Sequence, residues 1–176
     1  MNELAYLDMP KVKFLIDVSD AGELSSFGAD KIEFLVATNP GEPMMPISDI
    51  ASGGEMARIM LAIRSVLNEK DGVTCSVYDE IDTGISGKTS RKVGLKLRSI
   101  ARKSQVICVT HSAQIATLAD SHFLISKKEI DGRAHTSVRV LDFDERVEEA
   151  ARILGGINVT EAQRQAARDM IENTNE

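Results

Sequence analysis

The chain has 176 residues, of which 43% are hydrophobic, and a formal net charge of −6. This length and composition suffice for one sizeable core, so a single compact domain is expected. The acidic balance argues against a surface that coats nucleic acid as a whole, although a local basic patch is compatible with it. No apolar run approaches the roughly 20 residues that span a bilayer, and the first residues lack a signal-peptide pattern, so neither a membrane protein nor a secreted one is expected.

The first part of the chain is typical of an antiparallel hairpin followed by a long helix. Alternating apolar residues predict strands over 11–18 and 31–37, each with one buried face. Closely spaced prolines predict irregular structure over 39–48. From Glu55 the apolar residues recur at helical spacing, which predicts an amphipathic helix that ends near residues 71–72.

The remainder alternates strands with helices. In chain order the pattern predicts a strand at 73–78, a helix at 88–102, a strand at 105–110, a short helix at 113–119, strands at 122–126 and 136–141 around a turn at 131–132, and helices at 144–154 and 160–171, the last capped by Thr160. This alternation favours an α/β fold with a mainly parallel sheet flanked by helices, and the hairpins predict antiparallel extensions of it. Cys75 and Cys108 lie in apolar runs without metal-ligand spacing, so they are predicted to be buried thiols in a reducing compartment.

The start of the long helix has the composition of a phosphate-binding site. Ser52, Gly53, Gly54 and Glu55 stand where the helix begins. A helix N-terminus presents unpaired N–H groups and a partial positive charge, which attract anions. The Ser52 hydroxyl adds a donor, and glycines without side chains let a phosphate approach the backbone. A simple serine cap followed by two glycines is the alternative interpretation.

Two carboxylates and a histidine follow the next two predicted strands. Asp79 and Glu80 come directly after the strand at 73–78, and His111 follows the strand at 105–110. The carboxyl ends of parallel strands are where α/β sheets bind ligands. There Asp79 could hold Mg²⁺, Glu80 could orient or deprotonate a water that attacks a γ-phosphate, and His111 could hydrogen-bond the phosphate or the water. Solvated loop acids and a structural histidine are the alternatives.

A segment between these features comes close to a second phosphate-binding pattern. Residues 82–89 match GxxxxGK[ST] except at the first position, where Asp82 replaces glycine. Asp82 lacks the conformational freedom that the tight turn of such a loop requires, and with Asp79 and Glu80 it would place negative charge around a triphosphate. A P-loop NTPase with a deviant loop is therefore the least favoured interpretation.

Together these motifs resemble the ATPase heads of the ATP-binding-cassette class, and within it the RecN family of bacterial double-strand-break repair proteins, which is related to SMC proteins. Residues 51–55 resemble the signature motif, 73–80 the Walker B motif, 81–87 the D-loop and 109–111 the switch-histidine loop. Segments 39–43 and 142–156 are similar to RecN more specifically than to transporters. The chain departs from the pattern at Ala51, where many cassette proteins have leucine, and at 112–113, where Leu-Pro is expected.

The resemblance implies a composite site in which two heads sandwich ATP. It assigns trans contacts with the γ-phosphate of the opposite head to Ser52, Gly53, Gly54 and Glu55, catalysis in the same head to Glu80 and His111, Mg²⁺ binding to Asp79, and a D-loop role to Asp82. The Walker A lysine and the long coiled coil belong to a part of the family pattern that this sequence does not contain. The expected organisation is therefore a C-terminal head lobe at 11–176, preceded at 1–10 by the end of a coiled coil.

The resemblance also implies cofactors, partners and a location. ATP and Mg²⁺ are the expected cofactors, and the expected partners are the N-terminal Walker A lobe of the same protein, a second head in a homodimer, and DNA, with no membrane involved. A cytoplasmic, nucleoid-associated location is expected. The chain by itself, as a fragment of a longer protein, is expected to hydrolyse little or no ATP. A non-catalytic dimerisation or interaction module of the same fold is the alternative function.

The helix predicted at 88–102 carries a basic face. Its region holds seven basic residues with no acid among them: Lys88, Arg91, Lys92, Lys96, Arg98, Arg102 and Lys103. At about 100° per residue these side chains fall within one half of the helix, opposite its apolar residues. DNA phosphates or an acidic partner could dock on this face. A solvated face balanced by the acidic stretch at 142–149 is the alternative.

Overall fold

The computed structural model describes residues 1–67, 72–130, 132–156 and 158–174, and it confirms a mixed α/β fold. Two compact units can be distinguished. The first comprises Met1–Gly84 and Ile100–Val109, and the second comprises Ile85–Ser99 and Thr110–Glu176. None of the helices in the described residues combines the length and the hydropathy that crossing a bilayer requires.

The first unit holds one antiparallel sheet and one parallel pair of strands. Its elements are α1 (Asn2–Tyr6), β1 (Lys13–Ser25), β2 (Gly28–Ala37), β3 (Met45–Pro46), a turn of 3-10 helix (Ile47–Asp49), α2 (Gly53–Leu67), β4 (Cys75–Tyr78) and β5 (Gln105–Cys108). Strands β1, β2 and β3 lie in that order in the antiparallel sheet, with Ile16 opposite Phe34. Strands β4 and β5 are parallel, with Tyr78 opposite Cys108, as their separation by a helix predicts.

Residues 39–48 are more regular than their prolines predict. Met45–Pro46 forms β3 opposite Leu35 and Val36, and a 3-10 turn follows at Ile47–Asp49. Proline is compatible with this position because β3 is an edge strand, where a missing N–H leaves no ladder hydrogen bond unmade. The prediction of irregular structure is therefore wrong for the last part of this segment.

Helix α2 carries much of the core of the first unit. Ile59 and Leu61 are fully buried on it, and Leu4 and Leu7, in and just after α1, are buried as well. The predicted end of α2 near residue 71 lies outside the described residues. The assignment of residues 1–10 to the end of a coiled coil stays a prediction.

Both sheets of the first unit have one uncovered apolar face. Ile16, Val18 and Ile32 share a face of the β1–β2 hairpin, and each is more than half exposed. On the parallel pair, the facing residues Val77 and Ile107 are 66% and 46% exposed. The prediction of half-buried strands at 11–18 and 31–37 is therefore confirmed where the hairpin opens, since Val12 and Val36 are buried, and wrong towards its turn, where nothing in the described residues covers this face.

The second unit combines a hairpin with helices. Its elements are most of α3 (Gly87–Ala101), whose last residues belong to the first unit, then α4 (Ala113–Ala116), β6 (Phe123–Ile130), β7 (Arg133–Val140), α5 (Phe143–Gly155) and α6 (Glu161–Glu172). Strands β6 and β7 form the predicted antiparallel hairpin. Helix α4 ends three residues earlier than predicted.

Helices α5 and α6 begin with capping boxes and pack through small and branched side chains. Asp142 caps α5 together with Glu145, and Thr160 caps α6 together with Gln163, which confirms the predicted cap at Thr160. Their shared core consists of Val147, Ala150, Ala151, Ala167 and Ile171.

Replacing Ile59 with alanine is expected to lower the free energy of unfolding by about 2–5 kcal/mol, because it leaves a cavity in a fully buried position. Met60→Ala is the matched control, since the neighbouring side chain is 45% exposed and removing it creates no internal cavity. Urea denaturation of both variants measures the difference. Equal losses would show that α2 does not bury the face described above.

Candidate functional site

The predicted phosphate-binding segment lies at the start of α2. Ser52 is exposed and precedes the first helical residue, Gly53. Its hydroxyl accepts a hydrogen bond from the Glu55 N–H at 3.4 Å, and its carbonyl accepts one from the Met56 N–H at 3.0 Å. Ser52 is therefore the N-cap of a 15-residue helix, with its hydroxyl at the solvent-facing end. The geometry is compatible with both the capping and the phosphate-binding interpretations.

The two predicted carboxylates lie in a tight turn after β4. Asp79 and Glu80 are both exposed, and the Thr83 N–H donates to the Glu80 carbonyl at 3.0 Å. Glu80 has a φ of 57°, in the left-handed region that side chains other than glycine, asparagine and aspartate seldom adopt. Such backbone conformations persist only where the surrounding structure enforces them, and they concentrate at functional sites.

The start of α2 packs directly on this turn. A Cβ atom on Gly53 would lie 3.1 Å from Glu80 Oε2, and one on Gly54 would lie 3.0 Å from the Thr83 carbonyl oxygen and 3.1 Å from the Glu80 carbonyl oxygen. The structure thus brings the predicted signature residues and the predicted catalytic carboxylate of one chain together. The two glycines let the helix approach the turn. Sequence reasoning missed this intramolecular role.

Arg58 is the second component that sequence reasoning missed. It is buried, and its Nη1 donates to the carbonyl oxygens of Ile81 at 3.3 Å and Thr83 at 3.1 Å. Burial lowers the pKa of the Arg58 guanidinium, while the Glu55 carboxylate opposes that shift. A signal for Arg58 does exist in the sequence, since it stands four residues after Gly54 and therefore on the same face of the helix.

The carboxylates also lie close to the end of β5. Burial raises the pKa of the Cys108 thiol to about 12, and the charges of Asp82 and Asp79 add to that increase. This thiol therefore stays protonated and unreactive at neutral pH. Cys75 lies on the uncovered face of β4 and is exposed, so the prediction that both cysteines are buried is wrong for Cys75 and partly met by the half-buried Cys108.

His111 belongs to the second unit, whereas the signature residues and carboxylates belong to the first. Its side chain is exposed, and it lies between β5 and α4. The following Ser112 N–H donates to Thr110 Oγ1 at 3.0 Å, which orders the backbone of this loop. A catalytic role for His111 stays a prediction.

The basic residues of α3 do not form a uniform surface. Arg91 Nη2 donates to the Asn173 carbonyl at 3.3 Å, and Arg98 Nη1 donates to the Thr174 carbonyl at 2.7 Å. These two arginines therefore bind the carbonyl-rich C-terminal end of α6. Lys88 is exposed, as are Arg102 and Lys103 just after α3, while Lys92 and Lys96 are half-buried.

The structure disfavours a phosphate-binding loop at residues 82–89. Thr89, whose hydroxyl such a loop would present to Mg²⁺, is only 5% exposed. Its Oγ1 lies 3.3 Å from the Ser86 hydroxyl, within hydrogen-bond distance.

A cleft of about 610 Å³ in the second unit contains none of the predicted site residues. It lies between the β6–β7 hairpin and helices α5 and α6. Charged side chains in its walls are engaged in ion pairs: Arg139 with Glu145, Arg152 with Glu149, Arg164 with Glu148 and Glu161, and Arg168 with Asp144. Its polar groups thus satisfy one another, which argues against a site for a charged ligand.

The fold matches that of SMC ATPase heads. The head domain of Smc with a coiled coil and joint from Pyrococcus yayanosii superposes with a TM-score of 0.60 at 22% sequence identity, over 87% of this chain and 27% of that one. At this identity the similarity establishes the fold, which is the α/β architecture of a C-terminal head lobe.

Similarity in sequence is more specific. The DNA repair protein RecN of Halalkalibacterium halodurans is 41% identical over 97% of this chain, and RecN of Bacillus subtilis is 38% identical over 88% of it. The chain spans 31% and 27% of the lengths of these two curated relatives. No family model matches the chain. The chain is therefore RecN-like in sequence, with the fold of an SMC head lobe.

The contacts at α2 predict unequal effects of two alanine substitutions. Gly54→Ala is expected to destabilise the chain by about 1–3 kcal/mol, because the new Cβ meets backbone carbonyls that cannot rotate away. Gly53→Ala is the matched control, since its Cβ meets the end of the flexible Glu80 side chain and the helix gains propensity. Thermal unfolding of both variants tests this, and equal destabilisation would contradict the close approach at position 54.

Proposed function

We propose that this chain supplies the signature, Walker B and D-loop half of a RecN-like ATPase that couples ATP hydrolysis to repair of DNA double-strand breaks. The observation that carries the proposal is the contact between the start of α2 and the turn at Glu80. In one chain this contact joins an exposed helix N-terminus to a carboxylate in a left-handed backbone conformation. The similarity to proteins named DNA repair protein RecN supports the assignment.

Hydrolysis requires a second lobe in this proposal. The uncovered side chains Val77 and Ile107 support this requirement, because parallel strands are normally covered on both faces. We infer that the N-terminal Walker A lobe covers this face and supplies the phosphate cradle. The greater length of the curated relatives leaves room for such a lobe.

Asp79 is the proposed Mg²⁺ ligand. Among the described residues, no three His, Cys, Asp or Glu side chains are arranged to hold a metal ion. An exposed carboxylate at a strand end nevertheless fits Mg²⁺, which commonly uses one or two protein carboxylates together with phosphate oxygens and water. When bound, Mg²⁺ would neutralise charge on the phosphates.

Glu80 is the proposed general base. Its exposed carboxylate can accept a proton from a water placed in line with the γ-phosphate, provided that the turn keeps it at the right distance. His111 is proposed to hydrogen-bond the γ-phosphate or that water, and Asp82 to contribute as the D-loop acid.

The signature residues are proposed to act on the nucleotide of a second head in a homodimer. The Ser52 hydroxyl and the N–H groups of the first turn of α2 can donate hydrogen bonds to a γ-phosphate that carries negative charge. Because Gly53 is exposed at this helix end and has no side chain, the opposing nucleotide can approach the backbone closely, beside the half-buried Glu55.

DNA is proposed as the effector of the completed protein, in a cytoplasmic and nucleoid-associated location. The basic residues Lys88, Lys92, Lys96 and Arg102 are the proposed contacts of this chain, and Arg91 is the least suited because it binds the end of α6. Phosphate contacts of this kind position a protein on DNA without reading its sequence.

Mixing the chain with the Walker A lobe of a RecN-like protein is expected to produce Mg²⁺-dependent ATPase activity. In that complex, Glu80→Gln is expected to lower kcat by about 10²–10⁴-fold, because it removes the proton acceptor and little else. Glu23→Gln is the matched control, an identical chemical change at an exposed position of β1. A stable complex without ATPase activity would contradict the proposal and favour the non-catalytic interaction module.

Charge reversal of Lys92 and Lys96 is expected to weaken DNA binding by the completed head and to lower the slope of log K against log salt by about two. Fluorescence anisotropy at several salt concentrations measures this slope. Lys127→Glu with Lys128→Glu is the control, since it makes the same change in charge on β6. DNA affinity that is absent at low salt, or equal loss in the control, would remove α3 from the DNA contact.

A further inference from the structure

Arg58 lies outside the motifs that identify the site, yet it holds two parts of that site together. We propose that Arg58 is a positioning residue. When the nucleotide of the opposite head binds the signature segment, Arg58 transmits that binding to Glu80 of its own head. This inference rests on the proposed function, because it concerns the regulation of the same ATPase site.

The contacts of Arg58 bracket the D-loop acid. Its Nη1 donates to the carbonyl oxygen before Asp82, that of Ile81 at 3.3 Å, and to the one after it, that of Thr83 at 3.1 Å. Both acceptors are backbone atoms, which cannot rotate away as side chains can. A movement of α2 must therefore either carry the turn with it or break these hydrogen bonds.

The first turn of α2 packs tightly against the backbone of the same turn. A Cβ on Gly54 would stand 3.0 Å from the Thr83 carbonyl oxygen and 3.2 Å from Arg58 Nη1. Interiors packed this closely transmit displacement because no void absorbs it. The helix end that is proposed to meet the γ-phosphate is thus the same helix end that presses on the turn.

Glu80 depends on this contact for its conformation. Its left-handed φ of 57° is unfavourable for a residue with a side chain, and it is maintained within a turn closed by the Thr83 N–H to Glu80 carbonyl hydrogen bond. The same Thr83 carbonyl that Arg58 binds lies at the other end of this turn. When Arg58 holds Thr83, it holds the turn that positions the Glu80 carboxylate.

The burial of Arg58 argues for more than a structural role. The side chain is 6% exposed, and its buried Nε has no hydrogen-bond partner among the described residues. A buried charge with an unsatisfied donor is a poor means of stabilising a fold, since apolar residues of similar volume often do better. The arrangement suits a connection that must change state rather than one that only adds stability.

The proposal predicts a cis effect, and two mixed dimers of completed heads separate it from the alternatives. In the first dimer, one head carries Arg58→Met and the other carries Glu80→Gln. In the second dimer, one head carries both substitutions and the other is unmodified. The two dimers contain the same substitutions overall, so a general loss of stability affects both. Only the position of Arg58→Met relative to the single hydrolysing site differs.

The kcat of the first dimer is expected to be about 10-fold or more lower than that of a reference dimer in which one head carries Glu80→Gln and the other is unmodified. An effect of this size is within the range of typical coupling between sites. The second dimer is expected to keep the rate of that reference, because its hydrolysing head retains its own Arg58. ATP-dependent association of the heads, measured by light scattering, is expected to be unchanged in both. Arg58→Lys is expected to restore part of the rate of the first dimer, since an ammonium group can still donate to one of the two carbonyls.

Loss in the second dimer alone would show that Arg58 shapes the signature for the opposite site, and equal loss in both would show a structural role. Either result would overturn the inference while leaving the proposed ATPase in place. A dimer of unmodified heads that hydrolyses no ATP would instead overturn the proposed function, and this inference with it.

Discussion

The absence of a side chain at position 54 is the constraint on which the candidate site depends. Only a glycine lets the first turn of α2 approach the carbonyl oxygens of Glu80 and Thr83, at distances tighter than most Cβ contacts. That approach places Arg58, one turn further along the helix, within hydrogen-bond distance of the same Thr83 carbonyl and of the Ile81 carbonyl. Glu80, with its left-handed backbone, is part of this contact. The start of the helix, the arginine and the carboxylate therefore form one packed unit rather than three separate motifs.

Helix α2 is also fixed to the chain on the other side of β4. Arg64 Nη2 donates to the Val73 carbonyl just before the strand, whereas Arg58 binds carbonyls just after it. Two buried arginines on one helix thus tie it to both ends of a four-residue strand. The polar connections of this region are internal, while the uncovered face of β4 and β5 is apolar. A surface that stays in contact with solvent is usually polar. An exposed apolar face is instead typical of an element that packs against another lobe.

Local properties of the sequence predicted local structure well, and they failed where burial depends on distant parts of the chain. Thr160 capped its helix as predicted, because a cap depends on residues within three positions of it. Alternation in 11–18 predicted a strand correctly but not the exposure of Ile16 and Val18, since alternation shows which side chains share a face and not whether anything covers that face. For the same reason, Gly53 and Gly54 predicted close approach by a ligand, which stays a prediction, but not the close approach of the Glu80 carboxylate to Gly53 and of backbone carbonyls to Gly54.

The basic helix α3 shows why a charge pattern overstates an electrostatic surface. Arg91 and Arg98 reach carbonyl oxygens at the C-terminal end of α6, where a helix carries partial negative charge and its last carbonyls lack helical partners. A guanidinium at such a position is engaged by hydrogen bonds within the chain, which makes it less suited to bind a phosphate. The proposed contacts with a phosphate backbone therefore lie on the lysines of α3, namely exposed Lys88 and half-buried Lys92 and Lys96, and on exposed Arg102 just after the helix. A DNA contact there would consequently involve fewer cations than the seven that the sequence places in this region, because two of the arginines already bind carbonyl oxygens of the same chain.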